Sequence, residues 1–173
     1  MKNTASIQST AGTYGVILGV FGIALLILTY VLNLQESNLY LSIASILITV
    51  FIYFYGIKNY KQDNNGFLKL GQALKVGLAI AAIGGLIGAI YAFVHYSFIY
   101  PEFQEIALET SKTAMMESQP NMSDEQMNQA LEMSKMFTTP FWMATMSLIG
   151  TLFMGFIISL ILGLVMKKDN PVH

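Results

Sequence analysis

Apolar residues fall into four long runs along this chain, separated by polar segments. The runs cover about residues 13–33, 39–57, 73–100 and 140–166. An α-helix rises ~1.5 Å per residue, so roughly 20 apolar residues cross the ~30 Å hydrocarbon core of a bilayer. The pattern therefore predicts one membrane domain over residues 1–173, an all-α protein built as a bundle of four transmembrane helices.

The composition agrees with a chain that lies mostly in lipid. Hydrophobic residues make up 54% of the 173 residues and charged residues only 11%, whereas soluble domains carry about 25% charged residues. The net charge of −1 gives no indication of a nucleic-acid partner, and we expect none. Because the sequence contains no cysteine, disulfides, zinc–thiolate sites and cysteine nucleophiles are excluded.

The distribution of lysine predicts the orientation in the membrane. If the N-terminus is cytoplasmic, seven of the nine lysines lie inside, and three of these seven belong to the basic loop 58–72. The seven are Lys2, Lys58, Lys61, Lys69, Lys75, Lys167 and Lys168. Only Lys112 and Lys135 then lie outside. Positive residues concentrate in cytoplasmic loops. The sequence thus predicts a multi-pass protein with both termini in the cytoplasm.

Residues 101–139 form the one long polar segment, which is acidic and rich in methionine. Apolar positions at helical spacing predict two amphipathic helices, one through Phe103, Ile106, Ala107 and Thr110 and the other through Met127, Ala130, Leu131 and Ser134. Ser123 with Gln126 three residues later is a capping box for the second helix. We therefore predict an extracytoplasmic helical hairpin between the third and fourth transmembrane helices.

Small residues recur every three or four positions in the last two transmembrane runs. They are Gly77, Ala81, Gly85 and Gly88 in the third run, and Thr151, Gly155, Ser159 and Gly163 in the fourth. Small side chains let membrane helices approach closely, so we predict two helix-packing faces, with the fourth helix set against the third. The alternative is that glycine is simply common in membrane helices.

His95 is the candidate ionisable residue of the transmembrane runs, near the outer end of the third among Tyr91, Tyr96 and Tyr100. We interpret it as an interfacial histidine of an aromatic belt, near the lipid headgroups. A histidine that titrates in function or binds a headgroup is the alternative. Lys61, Lys69 and Lys75 are likewise expected to face anionic lipid.

Other chemistry has little support in the sequence. The methionines of segment 101–139 are soft donors that suit Cu(I), but their spacing is irregular, and packing or partner contact is the preferred interpretation. With His95 and His173 as the only histidines, no nucleophile, base and orienting group can be assigned. We therefore expect a protein that is not an enzyme, with no catalytic residue, no metal site and no cofactor.

Three segments of the chain carry a family resemblance: GFLKLGQALKVGL at residues 66–78, YPEF at residues 100–103 and TTPFW at residues 138–142. With these segments the chain resembles domain of unknown function 4199, a family of small four-helix membrane proteins of Bacteroidota, over nearly its whole length. The resemblance implies the inner membrane of a Gram-negative bacterium. It implies no activity and no functional residue.

The function expected from these features is an accessory or interaction role in the inner membrane. The outer hairpin is the expected recognition surface, and the partners are the lipid bilayer and a membrane or envelope protein. The alternative is a small transporter or lipid-handling subunit that works as a homo-oligomer, with the glycine and serine positions as subunit contacts. The sequence identifies neither the activity nor the partner or substrate.

Overall fold

The computed structural model describes residues 5–34 and 38–169. Regular structure in these residues is helical apart from one isolated β-bridge. The helices, in chain order, are α1 (Ile7–Val31), α2 (Leu39–Asp63), α3 (Leu70–Val94), α4 (Phe103–Ser118), α5 (Asp124–Phe137) and α6 (Pro140–Met166), with a π-helical turn at His95–Ile99. Lys2 and His173, which entered the sequence predictions, lie outside the described residues.

Four of these helical stretches are long and apolar enough to cross a membrane. They are Ile7–Val31, Leu39–Asp63, Leu70–Ile99 and Pro140–Met166. The chain is therefore an all-helical, multi-pass membrane protein, as predicted. In the most apolar 18-residue window of each stretch, 44% of the residues are buried for Leu70–Ile99, against 17–22% for the other three. The third stretch is thus the one most enclosed by protein.

Side-chain caps begin the first two helices. The Ser6 hydroxyl accepts the N–H of Ser9 at 3.3 Å, and the Asn38 side-chain oxygen accepts the N–H of Leu41 at 3.1 Å. Such caps satisfy amide groups that have no partner within the helix. Helix α2 continues past Ile57, where the predicted transmembrane run ends, to Asp63. The extra turns are helical because they still bury Tyr60 on the same side as Gly56 and Ile57.

Helix α5 begins with the predicted capping box, which is confirmed. The Ser123 hydroxyl accepts the N–H of Gln126 at 3.3 Å, and the Gln126 side chain accepts the N–H of Ser123 at 3.1 Å. Helices α4 and α5 contact each other. Neither helix has a fully buried residue.

The described residues divide into two compact units, one within Met1–Gly88 and Leu148–His173, the other Ala89–Ser147. In the first unit the core follows α3. Val76, Ile80 and Ala81 of α3 are completely buried, together with Ile57 of α2 and Ser159 of α6. The core of this unit is therefore built mainly from apolar side chains, and the enclosed helix α3 lies at its centre.

Candidate functional site

The small residues predicted on the third and fourth transmembrane helices lie at a close approach of α3 and α6. A Cβ atom added to Gly155 would lie 2.6 Å from the Cβ of Ala81, and one added to Gly77 would overlap Ser159. A Cβ atom at Gly85 would lie 3.2 Å from the Cβ of Thr151. The lack of side-chain bulk at these positions lets the two backbones come together.

Of two further predicted small residues, Gly163 lies in the contact between α3 and α6 and Gly88 does not. A Cβ atom at Gly163 would lie 2.9 Å from the Cβ of Ala73 and 2.8 Å from Leu70, so Gly163 belongs to the same helix contact. Around Gly88, in contrast, no atom of the described residues outside the neighbouring backbone of its own helix lies within 4 Å of an added Cβ atom. Seven of the eight predicted small residues are thus brought together, and Gly88 is not.

Helix α1 also packs closely on α3, a contact that the sequence analysis missed. Cβ atoms added to Gly15 and Gly19 would lie 2.7 and 2.8 Å from Ile83 and Ile87. On α3, a Cβ atom at Gly84 would lie 2.9 Å from the main-chain oxygen of Gly15. The signal in the sequence was the spacing of four between Gly15 and Gly19, the small-residue spacing of close helix pairs.

The Tyr53 hydroxyl lies inside this bundle. Tyr53 is 1% exposed, and its Oη atom lies where a Cβ atom at Gly155 would be 2.6 Å away. Within residues 5–34 and 38–169, no hydrogen-bond partner of this hydroxyl is found. The nearby Ser159 hydroxyl donates to Gly155 O of its own helix. Tyr53 is therefore a core residue with a buried polar atom, although its place near the end of the second apolar run is typical of an interfacial aromatic belt.

One end of the first unit carries a clasp between the α2–α3 connection and the end of α6, which we call the basic clasp (residues 61–69 and 166–168). Leu68 and Lys168 form an antiparallel β-bridge with two N–H···O bonds of 2.9 Å. The Lys61 ammonium donates to the main-chain oxygen of Met166 at 2.7 Å. The Lys168 ammonium lies 5.7 Å from the centre of the Phe67 ring, a cation–π distance.

The basic clasp changes the interpretation of the lysines expected to face lipid. Lys61 is half-buried and bonded to α6 within the chain, so its ammonium serves the helix end, where carbonyl groups otherwise have no partner. Lys69 and Lys75 are exposed. The side chains of Lys69 and Lys75 are therefore accessible to lipid headgroups.

His95 occupies a buried aromatic cluster in the second unit. It begins the π-helical turn, in which the N–H of Tyr100 donates to His95 O at 2.8 Å. The rings of Tyr91, Tyr96 and Tyr100 lie 5.7, 5.2 and 6.3 Å from the imidazole centre. His95 is 1% exposed. These are the tyrosines that the sequence analysis placed beside His95, and at this exposure its side chain faces protein rather than lipid headgroups.

Helix α5 of the same unit has two distinct apolar faces. The predicted stripe is half-buried along its whole length: Met127, Ala130, Leu131 and Ser134. A second set is exposed, with Met133, Met136 and Phe137 at 63%, 61% and 48%. On α4 the half-buried positions include Ala107, Leu108 and Ser111, while Ile106 is 46% exposed. The predicted α4 stripe is thus displaced by about one residue at Ile106 and Thr110.

No group of three His, Asp or Glu side chains in the described part of the chain is arranged to hold a metal ion. The acids of α4 and α5 are exposed. The structure provides four features instead. They are close helix packing at small residues, the basic clasp, a buried aromatic cluster around His95, and an exposed apolar face on α5.

Comparison with known proteins identifies a family for this chain. The family model described as "Protein of unknown function (DUF4199)" matches residues 13–168. The chain belongs to the DUF4199 family. No curated protein and no solved structure matches it.

The DUF4199 match extends over both sides of the basic clasp. It includes the GFLK segment at residues 66–69, where Gly66 has a φ of +80°, a conformation that glycine adopts without strain. It also includes Lys168, the partner of Leu68 in the β-bridge. The segment that carried the family resemblance in the sequence therefore has a structural role in joining α2, α3 and α6.

Proposed function

We propose that this DUF4199 protein is an accessory protein of the inner membrane that recognises a membrane or envelope protein through a helical hairpin formed by α4 and α5. The observation that carries the proposal is the exposed apolar face of α5, formed by Met133, Met136 and Phe137. We call these three residues the α5 face. In the transmembrane stretches, exposed apolar side chains meet lipid tails. On a polar segment outside the bilayer, they are typical of an interaction site.

Charge supports placing this hairpin outside the cytoplasm. The polar segment 101–139 has seven acids and two lysines, while the other seven lysines of the chain fall on the opposite side of the predicted topology. The positive-inside rule then favours cytoplasmic termini. An acidic surface around an apolar face suits a partner with basic residues around an apolar patch.

Methionine supports the same role. Its side chain is unbranched and polarisable, and adaptable binding faces are rich in it. Met133 and Met136 are the two most exposed residues of the α5 face. We assign this face no catalytic role, because recognition needs only its apolar area and its acidic surroundings.

A small oligomeric transporter or lipid-handling subunit is the second candidate. Lipid handling is favoured by one observation, an apolar groove between α1 and α2 that includes Tyr14, Ile48 and Phe51 among its lining residues. Transport of a polar solute would instead require polar groups that converge near the middle of the bilayer.

Site-specific photo-cross-linking tests the recognition role. A photoreactive phenylalanine analogue replaces Met133 in the α5 face, and the matched control places it at Asn128, which is exposed on the same helix. We expect a discrete protein adduct from position 133 in native membranes, lost when Met136→Ser and Phe137→Ser are added. Adducts with lipid alone at position 133, or equal protein adducts at both positions, would contradict the proposal.

A further inference from the structure

A lateral groove lies between α1 and α2 in the first unit. It has a volume of about 310 Å³ and is lined by Tyr14, Ile17, Ile48, Phe51, Ile52 and Tyr55. This volume is at the lower end of the ~300–1,000 Å³ typical of ligand pockets. The groove is shallow and open on one side, and its lining is almost entirely apolar, so it suits an apolar chain that lies along the two helices.

Gly56 lets the Tyr14 ring, which lines the groove, lie against α2. A Cβ atom added to Gly56 would be 3.2 Å from Tyr14 Cγ. Ile17 and Phe51 line the groove, and the side chains of both are exposed. Because α1 and α2 are two of the membrane-crossing stretches, the groove opens into lipid rather than water.

A positive charge stands at one end of the groove. Lys58, one turn beyond Tyr55 on α2, places its ammonium 5.9 Å from the centre of the Tyr55 ring and 5.8 Å from that of Phe54. Ile48 lies ten residues before Lys58 on the same helix, about 15 Å along the axis. The two ends of the groove thus differ in chemistry, with a cation at the first and aliphatic side chains at the second.

We propose that this groove binds one acyl chain of an anionic phospholipid, with the lipid phosphate held by the Lys58 ammonium. Charge complementarity favours an anionic headgroup beside Lys58. A helix from a second copy of the chain is the poorer fit, because close helix contacts in membranes use small residues, whereas Ile17, Ile48 and Phe51 project into the groove. This site does not depend on the recognition role of α4 and α5.

Native mass spectrometry of the full-length chain in detergent tests the site. The probes are dioleoylphosphatidylglycerol, which is anionic, and dioleoylphosphatidylcholine, which is zwitterionic. We expect a saturable 1:1 adduct with the anionic lipid and weaker binding of the zwitterionic one. Lys58→Gln should weaken the anionic adduct about fivefold, and Ile48→Trp, which fills the groove, should abolish it.

Matched controls lie on helices of the same unit. Lys75→Gln removes an exposed lysine of α3 away from the groove, and Ile46→Trp adds the same bulk to an exposed position of α2 that does not line it. Both should leave the adduct unchanged. Equal effects of Lys58→Gln and Lys75→Gln, or an adduct that survives Ile48→Trp, would overturn the proposal. So would equal binding of the two lipids, or a homodimer that Ile48→Trp dissociates.

Discussion

The Lys61 ammonium donates a 2.7 Å hydrogen bond to the main-chain oxygen of Met166, which joins the end of α2 to the last residue of α6. The bond crosses 105 positions of sequence. It lies beside the β-bridge between Leu68 and Lys168, so three polar contacts tie these segments together at one end of the bundle. A lysine that looks like part of a basic loop is thus a structural residue.

Removing this bond should lower stability. Lys61→Met keeps the length of the side chain and removes the donor. Because the donor is charged but only half-buried, we expect a loss of about 1–2 kcal/mol. Thermal unfolding in detergent is the measurement. The control is Lys69→Met, which alters an exposed lysine of the same connection. An equal effect of both substitutions would show that Lys61 contributes only charge.

The contact between α3 and α6 should not tolerate a methyl group at Gly77. A Cβ atom there would overlap Ser159, which is completely buried. Overpacking of this kind costs about 1–3 kcal/mol, so Gly77→Ala should unfold at a clearly lower temperature in detergent. Gly88→Ala is the matched control, because its added methyl group meets open space. Its stability should be unchanged or slightly higher, since alanine favours a helix over glycine by ~1 kcal/mol.

If Gly77→Ala and Gly88→Ala were equally stable, the close approach of α3 and α6 would be wrong. Gly155→Leu should lower stability further, since Ala81 and the Tyr53 hydroxyl both lie against that position.

The Tyr53 hydroxyl should be dispensable for stability. It is buried, and the described residues offer it no hydrogen-bond partner, so it carries a desolvation cost of about 1–3 kcal/mol without a compensating bond. Tyr53→Phe keeps the ring and should unfold at the same or a higher temperature. Tyr53→Ala, which removes the ring, should lose about 3–5 kcal/mol. A strong destabilisation by Tyr53→Phe would mean that the hydroxyl is bonded in the membrane.

The proposed topology can be measured with single cysteines, because the natural chain has none. Gln119→Cys, between α4 and α5, should react with a membrane-impermeant maleimide in intact spheroplasts. Asp63→Cys, at the end of α2, should react only after permeabilisation. The reverse pattern would invert the orientation and place the α5 face in the cytoplasm.

Local patterns were sufficient for the elements themselves. Runs of apolar residues long enough to cross a bilayer predict the four membrane helices, and the Ser123–Gln126 pair predicts the start of α5. The packing of Gly155 and Ser159 on α3 also follows a regular spacing of four. These features depend on residues within one or two helical turns of each other, and such residues can be read directly from the sequence.

The surroundings of individual side chains required more than local patterns. His95 and Tyr53 both look interfacial in the sequence, because aromatic and amphipathic residues concentrate at membrane surfaces. His95 is buried at a π-helical turn, and the Tyr53 hydroxyl lies against Gly155 of α6. Neither the π-helical turn nor the approach of α6 is visible in the residues next to them in the chain.

The order of residues alone predicts a helical membrane protein with four apolar spans, two small-residue faces and an acidic segment before the last span. The bond from Lys61 to Met166, the packing of α1 on Gly84, and the exposure of Met133 beside a half-buried Met127 come from the folded chain. Periodicity and length are properties of one helix. The partner of a side chain depends on where a second helix, distant in sequence, makes its closest approach.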